Sequence, residues 1–127
     1  MNDAVKHIAS RVWRHLGPGF SERVYHTAME VGLRAAGIPY QTERIVPIMF
    51  ENHAIGNIRA DLIVDTRLLV ELKSVRGLKD EHRVQARMYM RLLELREGLL
   101  VNFPNTGNDI EIEHINMSED IPTQGLT

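Results

Sequence analysis

The chain contains no cysteine, which excludes disulfides, thiol nucleophiles and thiolate zinc sites together. Any metal must therefore be held by oxygen or imidazole. Long apolar runs are missing as well: the longest, "LIVDTRLLV", is broken by charge and is far too short to span a bilayer. With no signal-peptide core at the N-terminus either, the sequence reads as a soluble intracellular protein with no membrane partner. It also lacks a strong charge of either sign. At a formal net charge of −2 the whole molecule does not attract nucleic acid, so any such binding requires a local basic surface. No repeat, linker or low-complexity tract interrupts it. What is present is an ordinary globular composition, 43% hydrophobic and 25% charged, in 127 residues. That length suits one domain with a real core and leaves little room for a second. We read residues 1–117 as that domain and 118–127 as a polar tail expected to fray.

Periodicity orders the elements. Val5, Ile8, Val12 and Leu16 have helical spacing and end at Gly17-Pro18-Gly19. A second helix is predicted from about Phe20 to Ala36, closing on Gly37 ahead of Pro39. "YQTERIVPIMF" reads as a strand whose Pro47 favours an edge. "ENHAIGN" reads as a loop, followed by strands at Ile58–Val64 and Leu68–Ser74. Lys79 to Glu97 is helical again, and "GLLVNF" and "DIEIEHI" are two final strands around the turn "PNTGN". The predicted order is ααβββαββ, an α/β (α+β) architecture with helices covering a mixed sheet.

Charged groups sit where strands should be apolar. Glu71 and Lys73 share one strand face, and Val70 and Leu72 the other. A three-residue loop of Asp65, Thr66 and Arg67 sets a register that pairs Asp61 with Glu71, Ile63 with Leu69 and Arg59 with Lys73. The reverse face then becomes Ala60–Leu72, Leu62–Val70 and Val64–Leu68, wholly apolar. One face is expected to be core and the other chemical. Opposed carboxylates repel unless something positive lies between them, and a hard divalent cation is the natural candidate. The competing reading is a cross-strand salt-bridge ladder of Asp61, Glu71, Arg59 and Lys73 on a solvated face.

Two helices add to the picture. On the second, Phe20, Val24, Val31 and Ala35 form one apolar arc and Tyr25, Met29, Leu33 and Ala36 another. Glu22 falls in the latter, an acid facing inward, whereas Arg23, His26, Glu30 and Arg34 are expected to be exposed. On the third, Gln85 and Tyr89 lie one turn apart between two apolar arcs, and as a pair they read most simply as hydrogen-bonded to each other. Lys79, Arg83, Arg87 and Arg91 recur every fourth residue and, with Arg76, form the local basic surface, unless Glu94 and Glu97 neutralise it. The wide arcs point to helix–helix packing or a homodimer. The six histidines form no ligand spacing and read as surface residues or core-edge hydrogen-bonders, with His26, beside Tyr25, the one that stands out; Trp13 and Leu16 pack.

With these residues in view, the sequence resembles the GxxExxY family of the PD-(D/E)XK nuclease superfamily. "GFSERVY" carries the name-giving pattern, and Asp61 followed by Glu71-Leu72-Lys73 carries the superfamily core. "GPGFSERVY", "RADLIV", "VELKSV" and "QARMY" occur in the expected order, and Gln85 and Tyr89 resemble a Q-x-x-x-Y motif. Ala60 stands where that core often has proline. The resemblance implies a PD-(D/E)XK restriction-endonuclease-like core, a mixed sheet flanked by helices. It implies that Asp61 and Glu71 bind metal, with Glu22 and the Leu72 carbonyl completing the shell, that Lys73 activates water and stabilises phosphate charge, and that Gln85 and Tyr89 position the reactants. The expected cofactor is Mg²⁺ or Mn²⁺. The expected partner is DNA, with RNA left open, contacted by Tyr25, Arg59, Arg76, Lys79, Arg83 and Arg87. The leading expectation is a metal-dependent DNA nuclease of little sequence preference; the rival is a catalytically silent nuclease-fold binding or adaptor module.

Overall fold

In the computed structural model, which describes residues 2–117, the elements follow the predicted order ααβββαββ. The predicted tail, 118–127, lies outside the described residues. Helix α1 (Asn2–Leu16) buries Val5, Ile8, Ala9 and Val12, the stripe its spacing predicts, and stops where Gly17 turns left-handed at φ +66°. Helix α2 (Glu22–Ala35) begins after an extended Ser21, so Phe20 lies outside it. It closes with Gly37 left-handed and the Ile38 N–H donating back to the Leu33 carbonyl at 3.0 Å.

Strands β1 (Tyr40–Phe50) and β2 (His53–Val64) form a long hairpin closed by Glu51 and Asn52 alone, both left-handed at φ 49° and 66°. The expected loop "ENHAIGN" is thus corrected: a two-residue turn suffices there, and the rest of the segment is strand. Strand β3 (Leu68–Lys73) leads into helix α3 (Asp80–Leu93), followed by β4 (Glu97–Asn102) and β5 (Glu111–Asn116). Helix α3 ends four residues before the predicted Glu97 because Glu94 adopts φ 58° and the Leu95 N–H returns to the Met90 carbonyl.

The sheet order is β1-β2-β3-β4-β5, with β3 and β4 parallel and every other neighbour antiparallel. Pro47 does lie on an edge strand. Helices α1 and α2 cover one face, where Tyr25, Met29, Leu33, Leu62, Val64, Leu68, Val70 and Leu72 pack with α1. Helix α3 covers the other, where Ala86 and Met90 meet Ile63, Leu69, Leu100 and Ile115. The expectation of one core face and one chemical face is therefore corrected. Both faces are core, and the polar groups occupy one end of the sheet.

Of the apolar arcs on α2, only that of Tyr25, Met29 and Leu33 is buried. Phe20, Val24 and Val31 remain 45%, 38% and 52% exposed. Helices α1 and α2 approach closely at Gly32, where any Cβ would collide with the Ile8 side chain. Gly32→Ala is expected to lower stability by about 1–3 kcal/mol, measured by urea unfolding, because buried Ile8 must shift to admit the methyl group.

Candidate active site

The site forms where two strands part. Leu62, Ile63 and Val64 pair with Val70, Leu69 and Leu68 in the predicted register, but the ladder ends there, so the expected Asp61–Glu71, Ala60–Leu72 and Arg59–Lys73 strand pairs do not form. Beyond this point β2 bends away with β1: Arg59 faces Ile45, and Ala60 joins the α3 cluster although Leu62 faces α1 and α2. Parting strands leave peptide groups that require partners. Asp61 and Glu71 supply them reciprocally: the Asp61 N–H donates to Glu71 Oε2 and the Leu72 N–H to Asp61 Oδ2, each at 2.8 Å. One oxygen of each carboxylate, Oδ1 and Oε1, stays outside this exchange.

Other elements bring the remaining groups. Lys73, last in β3, donates from Nζ to Gln85 Oε1 at 2.8 Å, tying the strand to α3. Gln85 thus serves Lys73, whereas the sequence suggested Tyr89 as its partner. Glu22 opens α2 and lines a cleft of about 190 Å³ with Arg23, His26, Glu43, Arg59 and Asp61. A larger groove, about 530 Å³, lies apart from this chemistry between α1 and α2, among Ile8, Val12, Leu16, Ala28 and Val31.

The acids act on one another electrostatically. Burial, and then the charge of Asp61, push the Glu71 carboxyl up to about 8, while the Asp61 N–H and Lys73 act against the rise and Glu22 adds to it. Asp61 is raised by burial against the opposing Leu72 N–H. Glu22 is raised by burial and by Asp61, with Lys73 and His26 opposing. Tyr89 is raised by burial and then by Glu71 and Asp61. Groups from α2, β2, β3 and α3 therefore share one field, and three acids face one ammonium. Such an all-oxygen donor set, short of positive charge, fits a hard divalent cation. Among the described residues, however, no three carboxylate or imidazole groups are gathered into a finished metal cage. Nor do Asp61 and Glu71 join a salt-bridge ladder, since their hydrogen-bond partners are peptide groups and Lys73 turns to Gln85.

Several residue expectations are corrected. Tyr25, expected at nucleic acid, is fully buried, stacked on Phe103 at 4.5 Å with its hydroxyl donating to the Gly17 carbonyl at 2.6 Å. His26, expected to be exposed, is buried: its Nε2 lies 2.8 Å from Thr42 Oγ1 and 3.3 Å from Glu30 Oε2. Arg83 in the basic ridge is held by both Glu113 oxygens, at 2.7 and 2.8 Å, and by Asp80. Arg87 also acts on Glu113, so β5 supplies the neutralising acid instead of Glu94 or Glu97. Arg76 and Lys79 are exposed.

Sequence reasoning missed Glu43. It is left-handed at φ 53°, a conformation costing a non-glycine residue about 1–2 kcal/mol; it sits where the β1–β2 register skips a pair, shares the cleft with Asp61, whose carboxyl its charge helps raise, and is paired with Arg23. No sequence signal marks it, because the strand pattern around it is unbroken. It missed Asn102 too, a fully buried polar residue that follows the buried apolar run Leu99, Leu100 and Val101. That one left a trace: an asparagine closing "GLLVN".

The structure is thus a three-layer α/β fold with clustered acids and a lysine at one end of its sheet. The chain belongs to the PD-(D/E)XK nuclease superfamily, whose model matches residues 1–115. The crystal structure of SSO0001 has a similar fold, with a TM-score of 0.58 and 24% identity over 74% of this chain. The match spans 48% of that structure's chain. No curated protein matches the sequence. Among the described residues, no helix is long and apolar enough to cross a membrane.

Proposed function

We propose that this protein is a divalent-metal-dependent nuclease of the GxxExxY group that hydrolyses DNA phosphodiester bonds with little sequence preference. The observation that carries the reading is the parting of β2 and β3, which sets Asp61 and Glu71 beside Lys73. Glu22, Asp61 and Glu71, with the Leu72 carbonyl as a further ligand, would hold Mg²⁺ or Mn²⁺, which when bound polarises a phosphate oxygen and lowers the pKa of water. Lys73 gives one N–H to Gln85 and keeps two for a water and a phosphate oxygen, compensating the negative charge that develops during hydrolysis. Tyr89, with its pKa raised, remains a phenol at neutral pH and can donate to the phosphate. Arg59 in the cleft and Arg76 and Lys79 at the start of α3 steer the backbone; Arg83 and Arg87 contribute less, their charge being shared with Glu113. Since such contacts read phosphate, weak sequence preference and strong salt sensitivity follow.

The test incubates purified protein with single- and double-stranded DNA, with Mg²⁺, Mn²⁺ or a chelator. Cleavage should require the metal, and log affinity should fall with log salt by about 0.7–0.9 per phosphate neutralised. Cleavage that persists in chelator, or none with either metal, contradicts the proposal. One observation favours a second reading, a silent binding module: both central acids already hold peptide N–H groups. DNA binding without cleavage, unchanged by Lys73→Ala, would select it. The uncovered arc of Phe20, Val24 and Val31 is where a second copy of the chain would pack, and sedimentation of the same preparation reads that out.

A further inference from the structure

Lys73 ends β3, and the chain then leaves the sheet through residues 74–79 before α3 returns Gln85 to the lysine. The geometry of the Lys73–Gln85 contact therefore depends on how this crossover is held. Two residues outside the proposed chemistry hold it. Asn102, level with Lys73 on parallel strand β4, has no exposed surface. Its Oδ1 accepts the Val75 N–H at 2.9 Å, and its Nδ2 donates to the Val75 carbonyl at 3.1 Å and to Glu111 Oε1 at 2.8 Å. The side-chain amide thus copies a peptide group and extends the ladder sideways past the end of β3. Glu111, opposite Asn102 on β5, accepts the Leu78 N–H at 3.1 Å with that same oxygen. The Phe103 N–H completes the grip on the Lys73 carbonyl at 2.9 Å.

Burying an amide is unfavourable unless it is fully bonded, and the three residues before Asn102 in β4 are the buried Leu99, Leu100 and Val101. An apolar residue would serve the core equally well but would leave the peptide groups of Val75 without these partners. We infer that Asn102 and Glu111 are positioning residues, which hold the crossover after β3 so that Lys73 Nζ stays on Gln85 Oε1, and which set the rate without touching substrate. This rests on the nuclease reading for its rate consequence only. Its structural consequence stands apart.

The experiment compares Asn102→Leu, Glu111→Ala and Glu111→Gln, measuring kcat, KM and the NMR signal of the ¹⁵N-labelled Lys73 ammonium. Half-buried Glu111 carries the test should the Asn102 variant not fold. For Glu111→Ala, kcat should fall about 10–100-fold with KM within about twofold, as a misplaced but intact catalytic group requires. The Lys73 signal should shift. Glu111→Gln, which retains an acceptor oxygen, should restore both. An unmoved Lys73 signal, an unchanged kcat, or a rise in KM that accounts for the loss would each overturn the inference. If the wild type cleaves no DNA, the nuclease reading fails and the lysine signal alone decides.

Discussion

Lys73→Met is expected to slow DNA cleavage by about 10²–10⁴-fold while leaving DNA affinity within about threefold, as measured by single-turnover kinetics and binding in Ca²⁺. The lysine donates a single hydrogen bond, to Gln85, so its loss removes little from the fold and much from the charge balance of the site. It also acts against the upward pKa shifts of Glu22, Asp61 and Glu71. Those carboxylates must be ionised to work, so the rising limb of the pH–rate profile should move to higher pH in the variant. A binding module without turnover predicts neither effect.

The second large effect concerns stability. The Glu71 carboxyl rises from its ordinary value of 4.5 to about 8 on folding, so the folded state binds this proton more tightly than the unfolded chain does. Stability is then fully present below pH 4.5 and is lost as pH rises toward 8. Asp61 and Glu22, also raised, act in the same direction. The melting temperature of chelator-treated protein should accordingly fall between about pH 5 and pH 8. Glu71→Gln, whose amide oxygen can still accept the Asp61 N–H, should be more stable than wild type at pH 8 by on the order of 2–4 kcal/mol, at about 1.4 kcal/mol per pKa unit. Mg²⁺ should restore wild-type stability at pH 8 and do little for the variant. A metal-free melting temperature that is flat across this range would show that the three acids do not crowd one another.

How far the sequence disclosed this site follows from the kind of information each residue carries. Alternation and turn length place Leu62, Ile63 and Val64 opposite Val70, Leu69 and Leu68, because a three-residue loop and one wholly apolar face allow one register. Periodicity cannot report where strands separate. The Arg59–Lys73 pair was therefore expected and does not form, and the reciprocal peptide bonds of Asp61 and Glu71 were not foreseen. Helical spacing misassigned both polar residues at the start of α2: Glu22, expected inward, is exposed at the rim of the cleft, and His26, expected in solvent, is buried, since a wheel does not know that β1 lies against that flank. Tyr25 was assigned to nucleic acid by its place in a motif, whereas its ring closes the core against Trp13 and Phe103. The left-handed backbone of Glu43 leaves no trace in residue type, because glycine or asparagine would be the usual occupant.

The single parallel pairing in the sheet has a consequence for how the molecule comes into being. The hairpins β1–β2 and β4–β5 close over short separations in sequence, whereas pairing β3 with β4 must close a loop that contains helix α3, which costs more chain entropy and is expected to be slower. Lys73, Gln85 and Asn102 lie on the two sides of that closure and within it. Until that closure is made, Lys73 of the strand and Gln85 of the crossover helix have no fixed place beside each other, so the cluster at this end of the sheet is assembled last.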